Sequence, residues 1–189
     1  MRVISIFFVS LLFTLTFKAE ATNTNFSYPS TFQFFHVPDQ TQKHDVFISF
    51  RGPGIRHGFL ADLVEALSQK KITFFIDNEL IKGDEIAESL VQAIETASIS
   101  LVIFTENYAS SSWCLDELVK IVECREKKRR VLLPVFYKVD PRTVRHQNGS
   151  YGSDFDEHDM KFSLSKVQRW RYALKKAADV NGFHSSNYL

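Results

Sequence analysis

Three kinds of side chain with distinct chemistry lie close to one another along the chain or near one inferred strand end: a carboxylate, an aromatic face and two guanidinium groups. The carboxylate is Glu117, in the run Ser111-Ser112-Trp113-Cys114-Leu115-Asp116-Glu117-Leu118. This run follows Ile99-Ser100-Leu101-Val102-Ile103-Phe104, whose length and β-branching predict a buried parallel strand. Leu115, Leu118, Val119 and Val122 then recur at helical spacing, which predicts Glu117 in the first turn of a helix just past the strand's carboxyl end. In open α/β sheets that edge is where ligands bind. A carboxylate held there can stabilise developing positive charge, or it can merely complement the helix dipole; both readings stay open. Trp113 offers a face for stacking on a nucleobase or ribose, or a surface for core packing. Arg51 and Arg56 can hold phosphates, and a structural role for one of them is equally open. Ser111 is a weaker candidate from the same loop, Cys114 reads as a buried thiol, and Asp116 as solvent-facing or a cap.

The elements that must position these groups alternate in type. Asp45-Val46-Phe47-Ile48-Ser49-Phe50 predicts a first strand, Arg51-Gly52-Pro53-Gly54 a turn, and Phe59, Leu60, Leu63, Val64 and Leu67 one apolar helix face. Ile72–Ile76 predicts a second strand, Asp77 to Glu85 a loop, and Ile86, Leu90 and Ile94 the next helix. After the strand at 99–104 and the helix carrying Glu117 comes Arg125-Glu126-Lys127-Lys128-Arg129-Arg130, cations that suit a helix C-terminus. Val131–Tyr137 predicts a fourth strand whose Pro134 marks an early or edge position. A loop-rich region from Asp140 to Lys166 follows, and then an amphipathic helix on Val167, Trp170, Leu174 and Ala177 that stops near Asn181-Gly182. This alternation implies a doubly wound parallel sheet of four to five strands with helices on both faces.

Composition narrows the chemistry. A net charge of +1 offers no global field toward nucleic acid, and no nucleic-acid partner is expected. The glycines at 52, 54 and 58 miss the dinucleotide fingerprint by one residue and read as a tight turn. A phosphorelay receiver would need paired acids after the first strand, where this chain has Ser49-Phe50-Arg51. Six scattered histidines form no H-E-x-x-H and two cysteines make no zinc knuckle, so no metal is expected. Cys114 and Cys124, ten residues apart on one helix, would stand about 15 Å apart, too far for a bridge. Two reduced thiols favour the cytosol.

The amino-terminal segment points elsewhere. Residues 3–17 are apolar, follow Arg2 and precede Lys18-Ala19-Glu20-Ala21, the pattern of a secretory signal peptide. A short membrane anchor, and hence membrane association through residues 3–17, is the alternative, and a non-targeting extension a third. The divisions are therefore 1–21 as signal peptide or anchor, 22–42 as linker, 43–185 as the folded domain and 186–189 as a tail.

Over residues 43–185 the chain resembles plant Toll/interleukin-1 receptor (TIR) domains. The motifs that carry the resemblance occur in order: Asp45-Val46-Phe47-Ile48-Ser49-Phe50-Arg51-Gly52; Phe75-Ile76-Asp77 with Gly83-Asp84-Glu85-Ile86; Ala93-Ile94-Glu95; Asn107-Tyr108 through Leu118; Pro134 through Pro141; and Val144-Arg145. The resemblance implies a flavodoxin-like fold and cleavage of the nicotinamide–ribose bond of NAD or NADP, bound as substrate, with no separate cofactor. It implies Glu117 as the catalytic residue of an NAD+ nucleosidase of the ADP-ribosyl cyclase/cyclic ADP-ribose hydrolase type. Arg51, Gly52, Arg56, Ser111 and Trp113 become candidate substrate contacts, and the loop holding Asp77, Gly83 and Asp84 becomes the mobile BB loop. The implied partners are TIR domains of the same protein or of related immune receptors. The implied setting is defence signalling by a TIR-only protein in the cytoplasm, free or membrane-tethered, which conflicts with a secretory leader. Two departures stand out: Gly52-Pro53-Gly54-Ile55-Arg56 in place of Gly-Glu-Asp-Thr-Arg, and Ala61-Asp62 in place of Ser-His on a helix that self-associates in relatives. They motivate the rival expectation, a catalytically weak adaptor or regulator acting by homotypic TIR–TIR binding.

Overall fold

In the computed structural model, residues 44–56, 58–76, 88–128 and 130–185 are described. The leader, the linker, the loop with Asp77, Gly83 and Asp84, and the tail lie outside them.

Five parallel strands form one sheet in the order β2-β1-β3-β4-β5. They are β1 (Val46–Phe50), β2 (Phe74–Ile76), β3 (Ile99–Phe104), β4 (Val131–Phe136) and β5 (Phe183–His184). The helices are α1 (Phe59–Gln69), α2 (Glu88–Thr96), α3 (Ser112–Lys128), α4 (Pro141–His146), α5 (Ser150–Lys161) and α6 (Leu164–Ala178), with 3-10 turns at Pro53–Ile55 and Tyr108–Ser110. This is the doubly wound arrangement expected from the sequence. β1 and β3 are buried at every position, as strands covered on both faces must be, and their side chains alternate between two cores. Val46, Ile48, Phe50, Leu101 and Ile103 pack with Leu60, Leu63 and Leu67 of α1. Phe47, Val102 and Phe104 pack with α2, α3 and α6 through Ile94, Leu115, Leu118 and Trp170.

This alternation matters for one residue. Ser49 shares the parity of Phe47 and so faces α3, and it is 1% exposed. A buried hydroxyl needs a partner there.

Several sequence expectations need correction. The stretch 140–166 is not loop-rich, because α4 and α5 occupy most of it. Its helical signals are local: Asp140 caps α4 by accepting from Arg142 N at 2.7 Å with a proline at the helix start, and Tyr151, Phe155 and His158 are buried at helical spacing on α5. Pro134 is neither early nor at an edge; β4 lies between β3 and β5. Val131 N donates to Ser98 O and Tyr137 N to Phe104 O, so alternate amides of β4 face β3. The missing N–H of Pro134 therefore faces the other side, where β5 pairs only with Val135 and Phe136. Nor does Gly182 stop the last helix, which ends at Ala178. A Cβ at Gly182 would run into the carbonyl oxygen of Pro134 and lie 2.6 Å from its Cγ, so glycine is required there for close approach of the two backbones.

Candidate functional site

The strand order reverses between β1 and β3: from β1 the chain moves outward to β2, then crosses back to β3 and continues outward to β5. The carboxyl ends of β1 and β3 flank the crevice at which doubly wound folds bind ligands. β1 leads into Arg51 and Gly52, the latter at φ +98°, a left-handed conformation natural to glycine. β3 leads through Thr105 into the turn Tyr108–Ser110 and then into α3.

α3 begins earlier than the apolar periodicity suggested. Ser111 is its cap: Ser111 Oγ accepts from Cys114 N at 3.3 Å, and Ser111 O accepts from Leu115 N at 3.1 Å. Glu117 is the sixth residue of α3, in its second turn rather than its first, and the first turn contains no acid. The capping reading of Glu117 is thereby removed, since the uncapped amides lie a turn away. Instead, Glu117 is 2% exposed and turned toward the sheet, where its Oε2 accepts from Ser49 Oγ at 2.7 Å. Ser49 Oγ also lies 2.9 Å from the phenol oxygen of Tyr108. Tyr108, fully buried, donates to the Cys114 carbonyl at 3.1 Å. Burial first, and then the negative fields of Cys114 and Glu117, push the Tyr108 phenol well above its ordinary range. It is therefore an O–H donor at any physiological pH.

The other candidates are distributed around this centre. Trp113 is half-buried and packs partly on the core. The Arg56 guanidinium lies over the Phe50 ring, 5.0 Å from its centroid. Arg51 is half-buried, and its charge is felt at Asp154 on α5. Cys114 is buried, with its Sγ 3.5 Å from the carbonyl of Phe50, and neither it nor Cys124 forms a disulfide. Asp116 is neither solvent-facing nor a cap: it accepts from Trp170 Nε1 at 2.7 Å and pairs with Lys166 Nζ at 3.1 Å, tying α3 to α6.

Two features escaped the sequence reading. One is the pair Ser49 and Tyr108, of which only Ser49 carried a signal, a hydroxyl within an apolar strand. The other is the packing of α5 on the exit from β3. There Tyr151 donates to Thr105 O at 2.8 Å and His158 Nε2 to Ala109 O at 2.7 Å. In the same region Thr105 Oγ1, Asp154 Oδ2 and His158 Nδ1 are buried without a hydrogen-bond partner. Burial raises the Asp154 carboxyl above its ordinary value, and the charges of His158 and Arg51 oppose that rise.

Comparison with known proteins agrees with this fold. The TIR domain family model matches residues 43–189. The chain is 41% identical over 171 residues to the disease resistance protein RPV1 of Vitis rotundifolia, covering 90% of this chain and 11% of that one. It is 45% identical over 142 residues to the TMV resistance protein N of Nicotiana glutinosa, covering 74% and 12%. The chain thus spans about one-eighth of the length of these curated relatives. Among solved structures, the TIR domains of the activated Roq1 resistosome, which recognises the pathogen effector XopQ, superpose with a TM-score of 0.71 at 46% identity, covering 76% of this chain and 89% of that one.

Proposed function

This chain belongs to the TIR domain family, and from that premise we propose that it cleaves the nicotinamide–ribose bond of NAD or NADP, with Glu117 as the catalytic carboxylate. The observation that carries the proposal is the setting of Glu117: buried, and held by a side-chain hydroxyl near the carboxyl end of β1, the strand edge at which such folds bind ligands.

The chemistry follows from that placement. As nicotinamide departs with the electron pair of its C–N bond, positive charge spreads over C1′ and the ring oxygen of the ribose. A carboxylate fixed beside the ring stabilises that charge more than it stabilises the ground state, which is what lowers a barrier. Water then adds at C1′ and releases a proton. In this reading Arg51 and Arg56, after β1, supply positive charge for the pyrophosphate, and the exposed part of Trp113 supplies a stacking face. Ser111 serves chiefly as the cap that fixes the start of α3, and Gly52 as the turn that brings Arg51 to the edge.

The proposed setting is plant immune signalling through TIR–TIR association in the cytosol, where NAD is available. Its support is the similarity to disease resistance proteins and to TIR domains within an activated resistosome. One observation favours a second reading, an adaptor with little turnover. Ala61 and Asp62 are both exposed on α1, so a symmetric contact through that helix would set each Asp62 against its copy, costing about 0.5–1 kcal/mol.

The deciding experiment is NAD loss by the purified protein at high concentration with a crowding agent, beside Glu117→Ala. Turnover by the parent alone supports the enzyme. Concentration-dependent association without turnover, in an assay where another plant TIR domain is active, replaces it with the adaptor.

A further inference from the structure

We propose that Ser49 and Tyr108 are positioning residues for Glu117, a two-hydroxyl relay that fixes the orientation of its carboxylate and favours the ionised form; this rests on the reading of Glu117 as the catalytic carboxylate.

Three contacts link the carboxylate to the two hydroxyls and a helix carbonyl. Glu117 Oε2 to Ser49 Oγ is 2.7 Å, Ser49 Oγ to Tyr108 Oη is 2.9 Å, and Tyr108 Oη to Cys114 O is 3.1 Å. Two hydroxyl protons serve these three links when Glu117 is ionised. The Ser49 proton goes to the charged acceptor, which makes the stronger and shorter bond. Ser49 Oγ is then left as an acceptor, and the one phenol proton of Tyr108 divides between it and the Cys114 carbonyl. Donation from Tyr108 polarises the Ser49 hydroxyl toward Glu117, so the phenol acts on the carboxylate through the serine.

The position of the relay in the fold makes it stiff. Ser49 belongs to a central strand paired on both sides, and its rotamer is set by neighbours that are themselves buried. Tyr108 is fully buried, packs edge-on against Phe104 with centroids 4.9 Å apart, and hangs on a helix carbonyl. The end of this chain of contacts, Cys114 O, lies on α3 itself, one turn before Glu117. The relay thus leaves α3, crosses to β1 and the turn at Tyr108–Ser110, and returns to α3, closing a loop that holds the Glu117 side chain against the sheet.

Titratable groups face the relay from several of the described elements. Cys114 on α3 and Tyr108 on its turn lie beside Glu117 in the field they share. Tyr151 of α5 reaches Tyr108 in that same field, and Arg51 after β1 acts on Asp154 of α5. β4 presents no titratable side chain. Charges that α2 and α6 bring to α3 form the pairs Glu95–Lys120, Lys166–Asp116 and Lys176–Glu126.

Two observables separate positioning from mere packing. The first is the titration of the Glu117 carboxyl, followed by carbon NMR on glutamate-labelled full-length protein and assigned as the resonance missing from Glu117→Gln. Removing a donor to a carboxylate raises its pKa, so Ser49→Ala should move that midpoint up by about one pH unit and Tyr108→Phe by less. In Ser49→Ala/Tyr108→Phe the midpoint should match that of Ser49→Ala alone, since the phenol acts through the serine. The second is NAD cleavage against pH: the acid limb should move up with the carboxyl, and kcat at neutral pH should fall about tenfold in Ser49→Ala with KM nearly unchanged.

An unchanged midpoint in Ser49→Ala overturns the relay, and a Tyr108→Phe shift that persists undiminished without Ser49 overturns the order of the two hydroxyls. If the midpoint moves as expected while the parent shows no NAD turnover, the relay stands and the proposed reaction falls.

Discussion

Asp116 and Glu117 are adjacent carboxylates on one helix, and the fold puts them to different uses. A helix turns about 100° per residue, so Asp116 points to the seam between α3 and α6 while Glu117 points to Ser49 on β1. Asp116 meets an indole N–H and an ammonium group, and its side chain is 23% exposed. Its charge is matched by Lys166, itself placed over the rings of Phe162 and Trp170 with centroids 5.4 and 5.3 Å away. Glu117 meets the hydroxyl of Ser49 in a nearly dry setting. The Asp116 pair ties two helices together, whereas the hydroxyl of Ser49 orients the Glu117 carboxylate against the sheet. Neighbouring positions thus separate into an acid that joins two helices and the acid proposed to be catalytic.

The sharpest way to break this comparison is to neutralise each acid in turn. Glu117→Gln should lower NAD cleavage at least about a thousandfold, the scale on which a principal electrostatic group acts, with the thermal midpoint shifted by only a few degrees. Asp116→Asn should do the reverse, keeping turnover within about threefold of the parent and losing about 1–3 kcal/mol of stability, because a charge-assisted bond from buried Trp170 is weakened. Equal losses of turnover in both variants would remove the distinction. Parallel thermal melts and NAD assays decide it.

A second test concerns how the sheet end is held rather than the acids. Gly182→Ala places a methyl against the Pro134 carbonyl and should cost about 1–3 kcal/mol by overpacking. β5, two residues long, is the element expected to detach. Because β5 pairs with β4, on the far side of β3 from β1, turnover per folded molecule should be unaffected, which denaturant melts and activity at matched folded fraction would show.

Four of the five strands were legible because buried parallel strands read as continuous apolar runs, which the two-residue β5 does not, and the ordered motifs around Trp113 and Glu117 resemble one family. The setting of Glu117 was not legible, for a physical reason. Apolar periodicity began at Leu115, so the helix start set by the Ser111 cap three residues earlier was missed, and Glu117 moved from a capping turn to a buried one. α4 and α5 were hidden for a different reason: α4 is six residues long and α5 is polar on most of its surface, with only three buried side chains. The Ser49–Tyr108 contact spans 59 residues of sequence, and no local pattern reports a contact of that range. Gly182 looked like a helix stop because glycine fits that role equally well, and only the proximity of Pro134 separates the two explanations.

A smaller effect sharpens the comparison by adding a third acid. Asp154 on α5 is partly buried with Oδ2 unpaired, and its carboxyl is raised above its ordinary value chiefly by burial. An acid with a raised folded-state value favours the folded state most when protonated, so its contribution is present below the unfolded value, 3.8, and is lost as pH rises through the folded one. At neutral pH the ionised carboxylate therefore works against folding, eased by the charges of His158 and Arg51. Asp154→Asn should raise the thermal midpoint at pH 7.5 by a small margin, and the gain should shrink as the pH approaches 3.8. A gain that stays constant with pH would mean that amide hydrogen bonding, not relief of a buried charge, is responsible. A loss at neutral pH would mean that the attraction to Arg51 outweighs desolvation, making Asp154 an ion-paired acid of the Asp116 kind.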